Sequence, residues 1–228
     1  MKQSISNIFV PRGEPPLHVA LLPDGARRWS VKNSVSLREA YRQSARHLST
    51  AVSSLFIADC NEITLLLSNW RNHGRSKSER EAFECGIQEF VNVELIKYQS
   101  AWNCSIRLIC PEHVAYGMKL TRHDWREGGN KRLNVCIAYD PLEEIFNAVD
   151  NAYQASKTIK SFPDFLWIDR PVDLAIRTGG FVVTSGFIPL QLCYARLYCI
   201  GALFNDTIES DFRSVIDEFL ANGARYGE

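Results

Sequence analysis

The chain has 228 residues, 46% of them hydrophobic and 23% charged, which indicates an ordinary globular protein with a sizeable core. Lysine plus arginine and aspartate plus glutamate both number 26, so there is no overall basic charge of the kind that binds nucleic acid. No apolar run approaches the ~20 residues of a membrane-spanning helix, and we expect no integral membrane segment.

Residues 1–16 contain three prolines and are expected to form a flexible N-terminal arm ahead of a single catalytic domain, 17–228. The seven cysteines are scattered and include no C-x-x-C pair. This favours reduced thiols in a cytoplasmic protein over disulfides or a zinc site.

The first predicted strand, residues 19–22, ends at Pro-Asp-Gly, and a helix is expected to begin directly after this turn. Ser36 and Glu39 have the spacing of a helix capping box, and apolar residues at helical spacing then predict a helix to about residue 58. A second strand, 63–67, is followed by Ser-Asn-Trp and a polar loop over 71–75. Another capping box at 76–79 predicts the next helix.

The second half continues with a strand at 106–109 and an ambiguous segment, 112–130, expected to hold a short helix and a loop. A strand at 133–138 precedes Asp140, which is predicted to cap a helix that turns Ile145, Val149 and Tyr153 inward. Strands at 172–176 and 197–200 and a closing helix at 211–220 complete the pattern.

This alternation of strands and helices predicts an α/β fold: one domain with a mostly parallel, six-stranded sheet flanked by helices. Ligands of such sheets bind beyond the carboxyl ends of the strands. Four predicted strands end there in side chains suited to a ligand site, namely those of Asp24, Ser68 to Trp70, Tyr139 and Arg177. No G-x-G-x-x-G follows the first strand and no phosphate-loop motif is present, which argues against a dinucleotide or nucleoside triphosphate site.

The turn at Asp24 joins two kinds of binding group. Its carboxylate can hold a divalent cation, while the free N–H groups at the start of the following helix and the side chains of Arg27 and Arg28 attract an anion. A magnesium-bridged diphosphate would satisfy all of them. Taken alone, the same residues are also compatible with a surface Asp-Gly turn and a solvated basic helix end.

A second motif strengthens the first interpretation: Asp173-Leu-Ala-Ile-Arg177-Thr-Gly-Gly180, a strand that ends in arginine and two glycines. Together with the segment from His18 to Trp29, it resembles the cis-prenyltransferase family, the undecaprenyl diphosphate synthase-like enzymes. The resemblance extends to about Arg225. It implies a Mg²⁺-dependent prenyltransferase that acts on allylic prenyl diphosphates as a homodimer.

The resemblance also implies roles for individual residues. Asp24 would bind magnesium and, with Gly25 and Arg28, the allylic diphosphate, whereas Arg177 and Ser185 would contact a second diphosphate. We predict four catalytic residues: Asp24, Arg28, Ser68 and Asn69. The predicted substrate-binding residues are Gly25, Ala26, Arg27, Trp29, Tyr41, Trp70, Arg177 and Ser185.

Some positions depart from the family pattern. Phe181 and Val183 stand where the family has Glu and Arg, Arg196 replaces a glutamate of the magnesium site, and the segment 67–70 lacks a Glu. We therefore expect an intact first diphosphate site and an altered second one. The run from Leu21 to Ser30 is similar to the irregular, head-to-middle branch, such as the cyclolavandulyl diphosphate synthases.

The preferred interpretation is thus condensation of dimethylallyl or geranyl diphosphate into a branched or cyclised short-chain prenyl diphosphate, with release of diphosphate. Three alternatives stay open. The chain could be a regular short-chain cis-prenyl diphosphate synthase that uses isopentenyl diphosphate, an enzyme that cyclises or hydrolyses a single prenyl diphosphate, or a non-catalytic homologue.

Overall fold

The computed structural model describes residues 16–121 and 129–222. Its six strands form one sheet in the order β3-β4-β2-β1-β5-β6, and every neighbouring pair is parallel. The predicted α/β architecture is confirmed. The strands are β1 (Leu17–Leu22), β2 (Cys60–Leu66), β3 (Cys104–Ile109), β4 (Lys131–Cys136), β5 (Leu174–Thr178) and β6 (Arg196–Ile200).

Seven α-helices connect and cover the strands. They are α1 (Ala26–Lys32), α2 (Leu37–Ile57), α3 (Lys77–Glu89), α4 (Leu95–Trp102), α5 (Glu112–Gly117), α6 (Pro141–Gln154) and α7 (Glu209–Ala221). A π-helical turn, Phe90–Glu94, joins α3 to α4, and short 3-10 helices occupy Trp70–Gly74, Ile159–Phe165 and Phe204–Asp206. None of the helices in the described ranges is long and apolar enough to cross a bilayer.

Alternate residues along the strands point into two apolar layers, one on each face of the sheet. Val19 and Leu21 of β1 point into the larger layer, which α2, α3, α4 and α7 cover. Ala20 and Leu22 point to the opposite face, where they pack with Phe187 and its neighbours. Because both faces are covered, β1 is buried along its whole length, as a central strand of a parallel sheet is.

The predicted helix starts rest on the expected side chains. Ser36 Oγ accepts a hydrogen bond from the amide of Glu39, and Ser76 Oγ accepts one from Glu79. Asp140 Oδ1 accepts one from the amide of Leu142. Each cap satisfies an amide that has no partner within its own helix.

Strand β1 is fully buried and lies near the middle of the sheet, with β2 and β5 on either side. His18 fixes its amino end: Nδ1 donates to the carbonyl of Pro171 at 2.9 Å, and Nε2 lies 2.8 Å from the hydroxyl of Thr64. Burial lowers the pKa of His18 below its usual 6.5. The neutral ring therefore ties β1 to both of its neighbours.

Several predictions need correction. The loop expected over 71–75 is largely a 3-10 helix, Trp70–Gly74, and β2 begins at Cys60, three residues earlier than expected. Tyr153 is 82% exposed, and α6 instead buries Glu144, Ala148 and Ala152, one position earlier along the helix. The reason is that the carboxylate of Glu144 is drawn inward by the amide of Ile168 and the side chain of Gln191. Strand β5 begins at Leu174, two residues later than expected.

Part of the sequence-based prediction falls on residues beyond the described ranges. The proposed arm, 1–16, lies outside them except for Pro16, and so do 122–128 of the predicted loop. In the remainder of that ambiguous segment, α5 is the short helix that was expected. The flexible arm stays a prediction.

The buried His18 predicts a pH dependence of stability. The unfolded chain binds a proton at His18 more readily than the folded chain, so the free energy of unfolding should fall as the pH drops below 6.5, by up to about 1.4 kcal/mol per pH unit, until the lowered pKa is reached. Urea unfolding at pH 7.5, 6.5 and 5.5 measures this. The variant His18→Asn keeps an amide donor towards Pro171 and should lose less stability over this range. Parallel pH curves for the two proteins would contradict the assignment.

Candidate active site

The centre of the site is the turn at the carboxyl end of β1. Asp24 follows the strand by two residues, and Gly25 has a φ of 118°, a left-handed conformation that favours glycine. A Cβ on Gly25 would also lie 2.9 Å from Leu203 Cδ2. Glycine is therefore required at position 25 by both the backbone conformation and the space available.

The backbone of Asp24 is fixed by β5 and by the segment before α7. Its amide donates to Thr178 Oγ1 at 2.8 Å, and the same hydroxyl donates to its carbonyl oxygen at 3.0 Å. The amide of Phe204 donates to that carbonyl at 2.9 Å. These bonds hold the two sequence motifs together at the carboxyl edge of the sheet.

The carboxylate of Asp24 contacts two guanidinium groups. Arg177 Nη2 lies 2.7 Å from Oδ2, and Arg28 Nη2 lies 3.6 Å from Oδ1. Arg177 Nη1 also donates to Ser185 Oγ at 2.9 Å and to the carbonyl of Val183 at 2.8 Å. Arg177 thus links Asp24 to Ser185.

The second arginine is held by the glycine turn after β5. Arg28 Nη1 donates to the carbonyl of Gly179 at 2.8 Å, and its guanidinium lies 4.7 Å from the centre of the Phe181 ring. Gly179 has a φ of 85°, and a Cβ there would lie 2.5 Å from Arg28 Nη2. A side chain at Gly179 would displace Arg28.

These residues line an open cleft of about 870 Å³. Of the described residues that line it, four are arginines (Arg27, Arg28, Arg75 and Arg177) and one, Asp24, is acidic. A chain with no net charge therefore concentrates positive charge at this one place, as an anionic ligand requires.

An apolar recess of about 70 Å³ opens beside Asp24, between α2 and α3. Its walls include Tyr41, Ala45, Leu48, Phe83 and Ile87. The two helices approach closely here, since a Cβ on the α3 glycine, Gly86, would lie 2.8 Å from that of Tyr41. The cleft thus offers a cationic part and a small apolar part side by side.

The segment after β2 contributes neutral polar residues to the cleft. Ser68 is buried, and its Oγ accepts a hydrogen bond from the amide of Ala138. The side chains of Asn69 and Asn72 cap the 3-10 helix reciprocally, each accepting from the other's amide. Both asparagines and Ser68 line the cleft, but the side chains of Ser68 and Asn69 are engaged in holding the backbone.

Of the three aromatic residues predicted to bind substrate, one lines the cleft. Tyr41 lines the cleft, whereas Trp29 and Trp70 are not among its lining residues in the described part of the chain. The indole of Trp29 donates to Asp206 at 2.7 Å, and the ring of Trp70 is exposed beneath the guanidinium of Arg71. Tyr139, expected at the site, is buried and donates to Glu144 instead.

Sequence analysis did not assign roles to Arg75 and Asn72, which line the cleft, or to Thr178, which holds the backbone of Asp24. Thr178 stood inside the second motif, next to Arg177. Arg75 directly precedes the Ser76 capping box, and a residue between a strand end and a helix start is well placed to reach a site at that edge of the sheet. Neither signal identifies the atoms that these side chains contact.

The residues present can hold a metal ion only with help from a ligand. The described residues contain no group of three or more His, Cys, Asp or Glu side chains that could do so. Mg²⁺ is commonly bound by one or two carboxylates together with phosphate oxygens and water. Asp24 fits that mode, because Arg28 Nη2 lies 3.6 Å from its Oδ1, beyond ordinary hydrogen-bond distance.

Comparisons with known proteins identify the family of the chain. The family model described as putative undecaprenyl diphosphate synthase matches residues 22–227. A tritrans,polycis-undecaprenyl-diphosphate synthase of Thermococcus kodakarensis is 28% identical over 96% of this chain and 89% of its own length. An isoprenyl transferase of Fusobacterium nucleatum is 24% identical over 93% of this chain and 96% of its own.

A solved structure shares the fold. The lavandulyl diphosphate synthase of Lavandula x intermedia, in complex with dimethylallyl diphosphate, aligns with a TM-score of 0.78 at 19% identity, over 92% of this chain and 98% of that one. At this level of identity the likeness concerns the fold alone. Because the family model covers nearly the whole chain, this protein belongs to the prenyltransferase family of undecaprenyl diphosphate synthase-like enzymes.

Proposed function

We propose that this prenyltransferase condenses short allylic prenyl diphosphates, dimethylallyl or geranyl diphosphate, by irregular head-to-middle coupling. The product would be a branched or cyclised short-chain prenyl diphosphate, and diphosphate would be released. The observation that carries the proposal is the position of Asp24 between Arg28 and Arg177, beside a small apolar recess. The arrangement suits a molecule with an anionic head and a short hydrocarbon tail.

Magnesium is the cofactor that we assign to Asp24. When bound there with a diphosphate, it would offset the charge of the phosphate oxygens and so stabilise the departing diphosphate. The chain's own groups add to this: Arg28 and Arg177 can each turn N–H donors towards phosphate oxygens. The apolar walls of the recess would keep water away from an allylic carbocation.

The bond between Arg177 and Ser185 supports a second diphosphate site, because it brings together the two residues that the resemblance assigns to that site. Beyond it, the loop after β5 offers Phe181 and Val183 where the resemblance leads one to expect charged residues. The same loop therefore has fewer donors for isopentenyl diphosphate in its usual place. This favours a different acceptor, and a second allylic diphosphate is the acceptor of head-to-middle coupling.

Product analysis tests the proposal. Purified protein incubated with dimethylallyl diphosphate and Mg²⁺ alone should give a branched C10 diphosphate, detected by mass spectrometry after dephosphorylation. A linear product that appears only with isopentenyl diphosphate would identify a regular synthase. Release of inorganic diphosphate without coupling would identify a single-substrate enzyme. Absence of magnesium-dependent diphosphate binding in calorimetry would identify a non-catalytic homologue.

A matched pair of variants tests the role of Asp24 in the same assay. Asp24→Asn removes the predicted metal ligand and should lower turnover at least about 100-fold. Asp217→Asn is the control, because Asp217 also pairs with an arginine one helical turn away, at 3.7 Å, but on α7. Equal turnover of the two variants would remove Asp24 from the mechanism.

The size of the recess predicts which tail is preferred. At about 70 Å³ it suits a C5 tail, and Phe83 forms part of its wall. Phe83→Ala should deepen it and raise the ratio of kcat/KM for geranyl over dimethylallyl diphosphate about tenfold or more. The control Tyr116→Ala removes an exposed ring on α5 and should leave the ratio unchanged. An unchanged ratio in Phe83→Ala would place the tail elsewhere.

We also propose a homodimer, as the resemblance implies. Leu142, Phe146 and Tyr153 are exposed apolar residues spaced four and seven positions apart, so they share one face of α6. A second copy of the chain would bury this apolar face. A cytoplasmic location belongs to the same proposal and is supported by the seven cysteines, none of which is in a disulfide.

Analytical ultracentrifugation tests the dimer. The wild-type protein should sediment with twice the chain mass, and Phe146→Asp should shift it to the monomer because a charge would be buried in the interface. Tyr116→Asp, at an exposed aromatic residue on α5, should remain dimeric. A dimer that survives Phe146→Asp would place the interface on another face.

A further inference from the structure

A second cavity lies at the carboxyl ends of β3 and β4, lined by residues 107–111, 137–139, 143 and 167. Its volume is about 360 Å³, which is within the usual range of small-molecule sites. None of the described residues that line this β3–β4 cavity also lines the cleft at Asp24. Strand ends are where parallel sheets bind ligands, and this one has no part in the prenyl transfer proposed above.

The walls of the β3–β4 cavity are mostly apolar. Ile109 is the last residue of β3, Pro111 follows it closely, and Ile137 follows β4. Two aromatic rings add to these walls: those of Tyr139 and Trp167 meet edge to face, with their centres 6.2 Å apart. Trp167 is half-buried, so part of its ring is open to a bound molecule. Such walls suit a flat apolar body, which can pack against the indole.

One guanidinium group belongs to the same walls. Arg107 lies on the face of β3 that also carries Ile109, because alternate residues of a strand share a face. Its side chain is half-buried, and it forms no hydrogen bond or ion pair with any residue in the ranges 16–121 and 129–222. Taking a charge partly out of water has a cost that an opposite charge offsets. A carboxylate in the cavity would do so, since it accepts two parallel hydrogen bonds from one guanidinium group.

The acidic groups nearby do not neutralise Arg107. Glu143, on the first turn of α6, lines the cavity but is exposed and does not pair with that arginine in the described structure. Glu144 is buried, and burial raises its pKa. Its carboxylate accepts hydrogen bonds from Tyr139 and Gln191 instead. The cavity thus contains a cation without a partner and a carboxylate at its exposed rim.

A short segment of chain separates this cavity from the cleft. The amide of Ala138 donates to Ser68 Oγ at 2.8 Å, and the amide of Tyr139 donates to the carbonyl of Ser68 at 3.0 Å. Ser68 lines the cleft, whereas Ala138 and Tyr139 line the cavity. A molecule can therefore occupy the β3–β4 cavity while the cleft holds another ligand.

We propose that the β3–β4 cavity is a second ligand site, which binds a small organic carboxylate with a flat apolar body. Arg107 binds the carboxylate, and Trp167 packs against the apolar body. Glu143 opposes the anion from the rim and so limits its affinity. The site is independent of the diphosphate chemistry of the cleft and does not rest on the proposed function.

Calorimetry with cinnamate and its neutral analogue cinnamamide tests the role of the charge. The wild-type protein should bind cinnamate about tenfold or more tightly than cinnamamide, because the carboxylate gains charge-assisted hydrogen bonds. Arg107→Met should lose this preference, and Arg107→Lys should restore part of it. The control Arg213→Met, at an arginine that pairs with Asp217 on α7, should keep the wild-type preference. A wild-type protein that binds the two molecules equally, or binds neither, would overturn the proposal.

Two further variants test the walls. Trp167→Leu should weaken the binding of cinnamate and cinnamamide alike, because the indole surface is lost while the cation stays. Glu143→Gln removes the carboxylate at the rim and should tighten the binding of cinnamate alone. Unchanged affinities in Trp167→Leu would contradict the proposal, and so would weaker cinnamate binding in Glu143→Gln. Thermal unfolding of each variant identifies any that fails to fold.

Inorganic diphosphate distinguishes the β3–β4 cavity from the cleft. At matched ionic strength, saturating diphosphate should leave the affinity for cinnamate unchanged, because the two sites share no described lining residue. Displacement of cinnamate by diphosphate would place it in the cleft and overturn the proposal. If the wild-type protein makes no coupled product but prefers cinnamate through Arg107, the proposed function falls and this site stands.

Discussion

The cleft depends on the hydroxyl of Thr178, which bonds both the amide and the carbonyl of Asp24. This one side chain joins the turn after β1 to the end of β5, although Asp24 and Thr178 are 154 positions apart in the sequence. The glycine turn after Thr178 then brings a carbonyl to Arg28, and Arg177 reaches the carboxylate of Asp24. Two motifs that are distant in the chain become one site because parallel strands end at one edge of the sheet.

The charged side chains of this site form ion pairs with one another. Arg177 is only 11% exposed and is paired with Asp24, so each offsets the cost of placing the other in a partly dry cleft. In the proposed function, Asp24 would hold the metal ion, and Arg28 and Arg177 would donate hydrogen bonds to the diphosphate in place of their contacts with Asp24. Because the exchange replaces ion pairs with ion pairs, it leaves no buried charge uncompensated.

Sequence analysis predicted the sheet, the helix caps at Ser36, Ser76 and Asp140, and the meeting of Asp24 with Arg177, because these follow from local patterns and from the topology of parallel sheets. It missed the orientation of side chains that depends on distant partners. Tyr139 turns away from the cleft towards Glu144, and that carboxylate in turn rotates the buried face of α6. Local spacing contains no information on such contacts, and the same is true of the bond between Arg75 and Tyr41.

Arg196 shows why a substitution must be judged by its place in the fold. It stands where the resemblance leads one to expect a glutamate of the magnesium site, so a cation takes the place of a carboxylate. In the structure it is the first residue of β6, opposite Leu174, and its guanidinium lies 5.8 Å from the ring centres of Tyr198 and Phe219. The ligand cleft lies at the other end of the strands, and Arg196 is not among the described residues that line it. The substitution therefore adds no cation to the cleft, and Asp24 is the one acidic group among the described lining residues on which a metal there would depend.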